Sequence, residues 1–198
     1  MNNKAAVYET FRSFKGVFAL LPEHQLRLNK SCHTIGVEAP DLQRIASEFK
    51  GDEVRLRVNV LPDRFEVFAE KLPRWNSFLY DPWKVKFVNL ERENPELKGM
   101  KSEEFVRVAD EAKDEGYDEI ILVNSEGLIT EGGITNVYFI SGEKIVTPKK
   151  NILHGIAREL IFEAAKNLQI VIEERAVHAD EKFDAMFLSN SIRGIIPV

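Results

Sequence analysis

Two segments of strict alternation, Glu53 to Val60 (EVRLRVNV) and Arg64 to Glu70 (RFEVFAE), are separated only by Leu61, Pro62 and Asp63. Successive side chains of a strand point to opposite faces, so alternation with so short a connection specifies an antiparallel hairpin with one apolar face. That face needs a cover. Two candidates precede it: His24 to Gly36, with Leu26, Cys32 and Ile35 at helical spacing, and Asp41 to Phe49, a second amphipathic helix. Ahead of these, Ala6 to Phe11 and Gly16 to Leu21 read as a further hairpin. Residues 1–75 are therefore expected to form a small α/β sandwich.

The stretch Leu72 to Trp83 (LPRWNSFLYDPW) interrupts the pattern with two prolines, and a domain boundary is placed there. Residues 76–198 read as a larger, strand-rich domain with helices. Strands are expected at Lys84–Leu90, Glu119–Asn124, Val137–Ile140, Lys144–Thr147, Val171–Ala176 and Ala185–Ser189. One helix spans Ser102 to Gly116, with Ser102 as N-cap, and another runs from about Ile156 to Asn167 with Ile156, Leu160, Ile161, Ala164 and Ala165 on one stripe. The class is α+β in two domains.

Several roles are disfavoured at this level. A net charge of −5 offers no basic footprint for nucleic acid. Cys32 is the one cysteine, and His24, His33, His154 and His178 lack ligand spacing, so no metal site is expected. The single cysteine fits a reducing, cytoplasmic compartment, and with no apolar run of membrane-span length and no apolar signal stretch in the start MNNKAAVYETFR, a soluble protein is expected.

Four local patterns could carry chemistry, and each has a plain structural alternative. In TEGGITNVYFI (Thr130–Ile140), Glu131 stands at the mouth of an apolar strand beside two glycines, or on a solvated hairpin loop. In HGIAREL (His154–Leu160), Gly155 precedes a helix whose free N-terminal amides attract phosphate; with Gly155 as an ordinary turn residue, Arg158 reads as exposed. In EHQLRLNKS (Glu23–Ser31), Arg27 suits bidentate phosphate binding or an ion pair with Glu23 one turn away. NPELKGMKSEEF (Asn94–Phe105) offers Lys98 and Lys101, each a potential Schiff-base nucleophile or an ordinary solvated lysine.

Taken in order, these patterns resemble the class IV aminotransferases, the fold-type IV pyridoxal 5′-phosphate (PLP) enzymes that include branched-chain and D-amino acid aminotransferases and aminodeoxychorismate lyase. The resemblance spans essentially the whole chain. VYETFRSFKGVFALLPEHQLRLNKS is similar to the family's first hairpin and H-x-x-R-L helix, which implies that Arg27 grips the cofactor phosphate and that Tyr8 lines the substrate pocket. TEGGITNVYF resembles the stretch whose glutamate, here Glu131, partners the pyridine nitrogen. HGIAREL resembles the G-[IV]-T-R helix start, so the amides of Ile156 and Ala157 would cradle phosphate, with Ala157 lacking the family's usual threonine hydroxyl. LSNSIRGIIPV resembles the last motif, which implies a phosphate contact from Ser191 and an Ile192 amide near the substrate carboxylate.

The resemblance leaves the lysine open. Ungapped counting from Ala112 and Gly116 selects Lys98, whereas the G-M-K-S context selects Lys101, with Phe105 where many members carry tyrosine or arginine; Lys101 is the expectation and Lys98 the reserve. The implied reaction is transamination of a small, branched-chain-like amino acid with a 2-oxo acid. NPELKGMK also resembles the lyase branch, which releases pyruvate and 4-aminobenzoate, and a PLP-binding relative without turnover is the third possibility. The resemblance further implies a homodimer with the cofactor between the two domains.

Overall fold

A computed structural model describes residues 6–51, 53–72 and 81–198. The chain divides into two compact units, one comprising Met1–Phe78 with Leu97–Met100 and the other Leu79–Glu96 with Lys101–Val198. Most of the stretch read as the boundary, residues 73–80, lies outside the described residues.

In the first unit, β1 (Val7–Phe14), β2 (Val17–Phe18), β3 (Val54–Val60) and β4 (Phe65–Lys71) form an antiparallel sheet in the order β2-β1-β3-β4. The expected β3–β4 hairpin pairs from Val60↔Phe65 to Val54↔Lys71. Helices α1 (Leu21–Thr34) and α2 (Leu42–Ser47) supply the apolar cover: Leu28, Cys32, Leu42 and Ile45 share one core with Val7, Phe11 and alternate residues of β3. Asp41 caps α2 by accepting from Gln43 N (2.8 Å) and Arg44 N (3.2 Å).

The first hairpin departs from expectation. Strand β2 has only two residues, and the long partner of β1 is β3, paired from Val7↔Val60 to Arg12↔Arg55. Leu20 takes a left-handed conformation (φ 57°) that ends the strand, and Pro22 suits the first helical turn, so α1 begins at Leu21 rather than His24. Its buried stripe also differs, because Leu26 is 71% exposed while Leu21, His24, Leu28, Ser31 and Cys32 face inward.

The second unit holds β5 (Val85–Asn89), α3 (Glu103–Asp114), β6 (Glu119–Val123), β7 (Leu128–Gly132), β8 (Asn136–Ser141), β9 (Lys144–Pro148), α4 (Ile156–Asn167), β10 (Val171–Arg175), β11 (Val177–His178), β12 (Ala185–Asn190) and β13 (Gly194–Pro197). They form two sheets, β10-β9-β8-β12-β13 and β11-β7-β6-β5. Ile121, Val123 and Ile129 of the smaller sheet share a core with Val137, Phe139, Val146, Leu188 and Ile196 of the larger, so the sheets pack face to face. On the other face of β6, Ile120 and Leu122 pack against Phe105 and Ala112 of α3. Strand β6 is consequently buried at every position. The two parallel pairs, β5–β6 and β9–β10, are each joined through a helix, α3 and α4, as parallel strands require.

The α+β class stands. Strands β7, β11 and β13 were not anticipated, and the stripe on α4 is rotated: Leu160 is 42% exposed, while Arg158 is buried with Ile156, Ala157, Ile161 and Ala165. The reading of Arg158 as an exposed residue is thus overturned. Its guanidinium donates from Nη1 to Thr147 Oγ1 (2.6 Å) and from Nη2 to Pro148 O (3.0 Å) and Glu174 Oε1 (2.8 Å), tying α4 to β9 and β10. A buried arginine is tolerable only when so satisfied.

Gly133 shows how tightly the β7–β8 turn is packed. A Cβ there would lie 2.7 Å from Glu119 Oε1 and 3.0 Å from Ile120 Cγ1. Glu119 cannot swing away, because its carboxyl is bonded by three donors. Gly133→Ala is expected to lower unfolding free energy by about 1–3 kcal/mol, the usual cost of overpacking, read by denaturant titration.

Candidate active site

The second unit contains Glu131, Ile156, Ala157, Ser191 and Ile192, and a hydrogen bond ties Glu131 on β7 to the loop that leads into α4. Glu131 ends β7 with its carboxylate almost fully buried rather than on a solvated loop. Oε1 accepts from Arg92 Nη1 (2.7 Å) and Oε2 from the Leu153 amide (2.9 Å). Leu153 O in turn accepts from Asn136 Nδ2 (2.8 Å), so the loop before α4 is pinned to the strands on both sides of the glycine turn. Two residues later, Gly155 is the N-cap of α4 and provides no side-chain cap, which leaves Ile156 and Ala157 in a first turn whose amides point out of the helix. Gly155 is required there, since a Cβ would collide with Asn136 Oδ1.

Ser191 is related to these residues through strand register. Asn136 is the register partner of Ser189 on β12, and Ser191 follows two residues on, in the turn to β13. Ser189 itself is buried, its hydroxyl 3.0 Å from the Tyr138 hydroxyl. The Ile192 amide, expected near a substrate carboxylate, donates to Asn190 Oδ1 (3.1 Å), which also accepts from Arg193 N (2.8 Å) and so shapes the turn.

Glu119 holds the turn between β7 and β8 by accepting from the Ile134 amide and the Thr135 hydroxyl. Burial raises its pKa, opposed by hydrogen bonds from the Ile134 and Ile120 amides, by nearby Lys101 and by the Thr135 hydroxyl. Lys101 sits just before Ser102, the N-cap of α3, with its ammonium 4.3 Å from the Phe105 ring centroid.

In the first unit, Tyr8 and Lys98 are neighbours. The Tyr8 amide donates to Lys98 O (2.9 Å), Gly99 bridges to Val7, and the Lys98 ammonium lies 5.1 Å from the Tyr8 ring centroid. Arg57 stacks on the same ring at 4.0 Å. Arg27, half-buried, pairs with the buried Glu9 beside the buried His24. Its Nε donates to Glu9 Oε2 (2.9 Å) and its Nη2 to Glu9 Oε1 (2.5 Å), while His24 Nδ1 is 3.0 Å from Oε1. Its carboxylate partner is therefore Glu9 and not Glu23. Burial acts to raise the Glu9 pKa, but His24 and Arg27 outweigh it and hold the carboxyl well below the usual carboxylate range. Sequence reasoning missed Glu9 and Arg92; the alternation of β1 could have flagged Glu9, a carboxylate on the apolar face between Val7 and Phe11.

Residues 6–198 match the family Amino-transferase class IV. The chain belongs to the class IV aminotransferases. A Thermotoga maritima protein named "Probable branched-chain-amino-acid aminotransferase" is 32% identical over 212 residues, covering 98% of this chain and 77% of that one. A crystal structure from the same organism, provisionally assigned as a branched-chain amino acid aminotransferase, superposes with a TM-score of 0.83 at 30% identity, over 98% of this chain and 76% of the other. A provisionally assigned 4-amino-4-deoxychorismate lyase from Legionella pneumophila shares the fold, with a TM-score of 0.82 at 21% identity, over 98% and 81%.

This class IV aminotransferase is a PLP-dependent enzyme, and its residues fit that cofactor: a buried carboxylate suits a pyridine nitrogen, and a helix start without a side-chain cap suits a phosphate. Bound PLP supplies an electron sink for the reaction at the substrate Cα. Glu131 offers a buried carboxyl with a hydrogen bond on each oxygen, and α4 offers a first turn without a side-chain cap. Among the described residues no group of metal-ligating side chains occurs, and no helix is long and apolar enough to cross a membrane.

The raised Glu119 pKa has a sign that can be checked. A carboxyl that titrates higher in the folded state binds more protons there than unfolded, so stability falls as pH rises from the ordinary value of 4.5 through the folded value. Glu119→Gln is expected to remove that component, flattening the pH dependence of unfolding free energy above pH 4.5 relative to the native chain.

Proposed function

We propose that the chain transfers amino groups between a small, branched-chain-like amino acid and a 2-oxo acid, with Lys98 rather than Lys101 as the lysine that carries PLP. Glu131 carries the reaction reading: a buried carboxylate with a partner on each oxygen is a built acceptor for a protonated pyridine. The Thermotoga maritima relative, matched over nearly all of this chain, supports the substrate class. Ile156, Ala157, Ser191 and Arg27 are assigned to the phosphate, and Tyr8 and Ile192 to the substrate.

Lys98 is preferred on its surroundings. It stands in an extended segment bonded to β1, beside Tyr8, the residue assigned to the substrate pocket. Lys101 lies over the Phe105 ring near Glu119, in the packing that supports the β7–β8 turn. A lyase reading has one feature in its favour, the NPELKGMK segment around Lys98. A homodimer and a cytoplasmic location complete the proposal.

Borohydride reduction in the presence of PLP, followed by peptide mapping, is expected to label Lys98. A label on Lys101 would reverse the choice of lysine, and an unlabelled chain would remove the cofactor assignment. In turnover assays, amino transfer from leucine or valine to a 2-oxo acid is expected; pyruvate release from aminodeoxychorismate without amino transfer would establish the lyase instead.

A further inference from the structure

The geometry points to Arg92 as a positioning residue that fixes both the charge and the direction of Glu131 toward the pyridine nitrogen. The inference rests on the assignment of Glu131 to that nitrogen. Arg92 follows β5, far in sequence from β7, yet its Nη1 meets Glu131 Oε1 at 2.7 Å with the carboxylate side chain 3% and the guanidinium side chain 15% exposed. The other oxygen is taken by the Leu153 amide, which belongs to the loop leading into α4.

Two donors from different segments leave the carboxylate little freedom to rotate. A carboxylate removed from water strongly favours its neutral form unless a cation and hydrogen bonds compensate. The Leu153 amide supplies a hydrogen bond, and Arg92 supplies the hydrogen bond with the charge. A neutral Glu131 could not hold a proton on a pyridine nitrogen. Arg92 therefore acts through Glu131 and is not itself asked to touch the cofactor. Lysine would preserve the charge but place it as a point on a flexible stem, without the planar fork of the guanidinium.

The test is a cycle read as PLP affinity, by absorbance and fluorescence titration of the apo chain, together with the absorbance band of bound PLP. Arg92→Met is expected to weaken PLP binding at least tenfold and to shift the band, and Arg92→Lys to restore most of the affinity. In a Glu131→Gln background the Arg92→Met change is expected to lose most of its effect, because the group it serves is gone. An equal effect of Arg92→Met with and without Glu131 would overturn the inference and mark Arg92 as a packing residue. So would unchanged affinity and band in Arg92→Met. If Arg92→Met does not fold, the Arg92→Lys and Arg92→Gln pair gives the same reading, equal affinities in the two overturning the role of charge. The underlying assignment fails separately: Glu131→Gln with native affinity and native band would show that Glu131 does not face the cofactor.

Discussion

Strand β6 is the constraint around which the second unit is arranged. Its five residues are buried on both faces, Ile121 and Val123 against the facing sheet and Ile120 and Leu122 against α3. A strand so placed can carry no exposed polar side chain, and the carboxylate at its start, Glu119, has to find its partners inside. It finds them in the Ile120 and Ile134 amides and the Thr135 hydroxyl. Those bonds draw the β7–β8 turn down onto β6, close enough that only glycine fits at 133. The turn then fixes its two flanking residues, Glu131 and Asn136, and these fix Leu153 and the start of α4. Core packing and the placement of the α4 start are thus successive links of one chain of contacts.

The first unit uses the same physics for a different purpose. Glu9 lies on the buried face of β1, fully enclosed, and is tolerable there because Arg27 and His24 of α1 meet both of its oxygens. The pairing also clamps α1 to the sheet at a defined rotation, which accounts for the burial of His24 and the outward position of Leu26. Arg158 performs the corresponding task in the second unit, where it ties α4 to β9 and β10. In both places a buried charge sets how a helix sits on its sheet.

Much of the fold was legible because period and punctuation were strong. The β3–β4 hairpin followed from alternation, α2 from its amphipathic spacing and α3 from Ser102, which caps as a short side-chain oxygen should. The misses share a cause. Strand β7 ends in Glu-Gly, which looks like a loop until Thr135 and Glu119 are seen to occupy the space beside the glycines. Strand β13 is announced by Gly194 and closed by Pro197, residues that ordinarily argue against strand. The rotation of α4 is not legible from a hydrophobicity pattern, which assigns arginine to water, whereas three acceptors hold Arg158 inside.

The sequence by itself determined the family and the cofactor, because those depend on residue types at short spacings that local geometry preserves. Tertiary structure alone decided that Glu131 is buried with Arg92 and the Leu153 amide, that Arg27 is clamped by Glu9, and that Lys98 and Lys101 stand in different surroundings. The reason is physical. The direction of a side chain is set by the groups that replace water around it, and for Arg27 and Glu131 those groups come from segments 18 to 39 residues away in the chain.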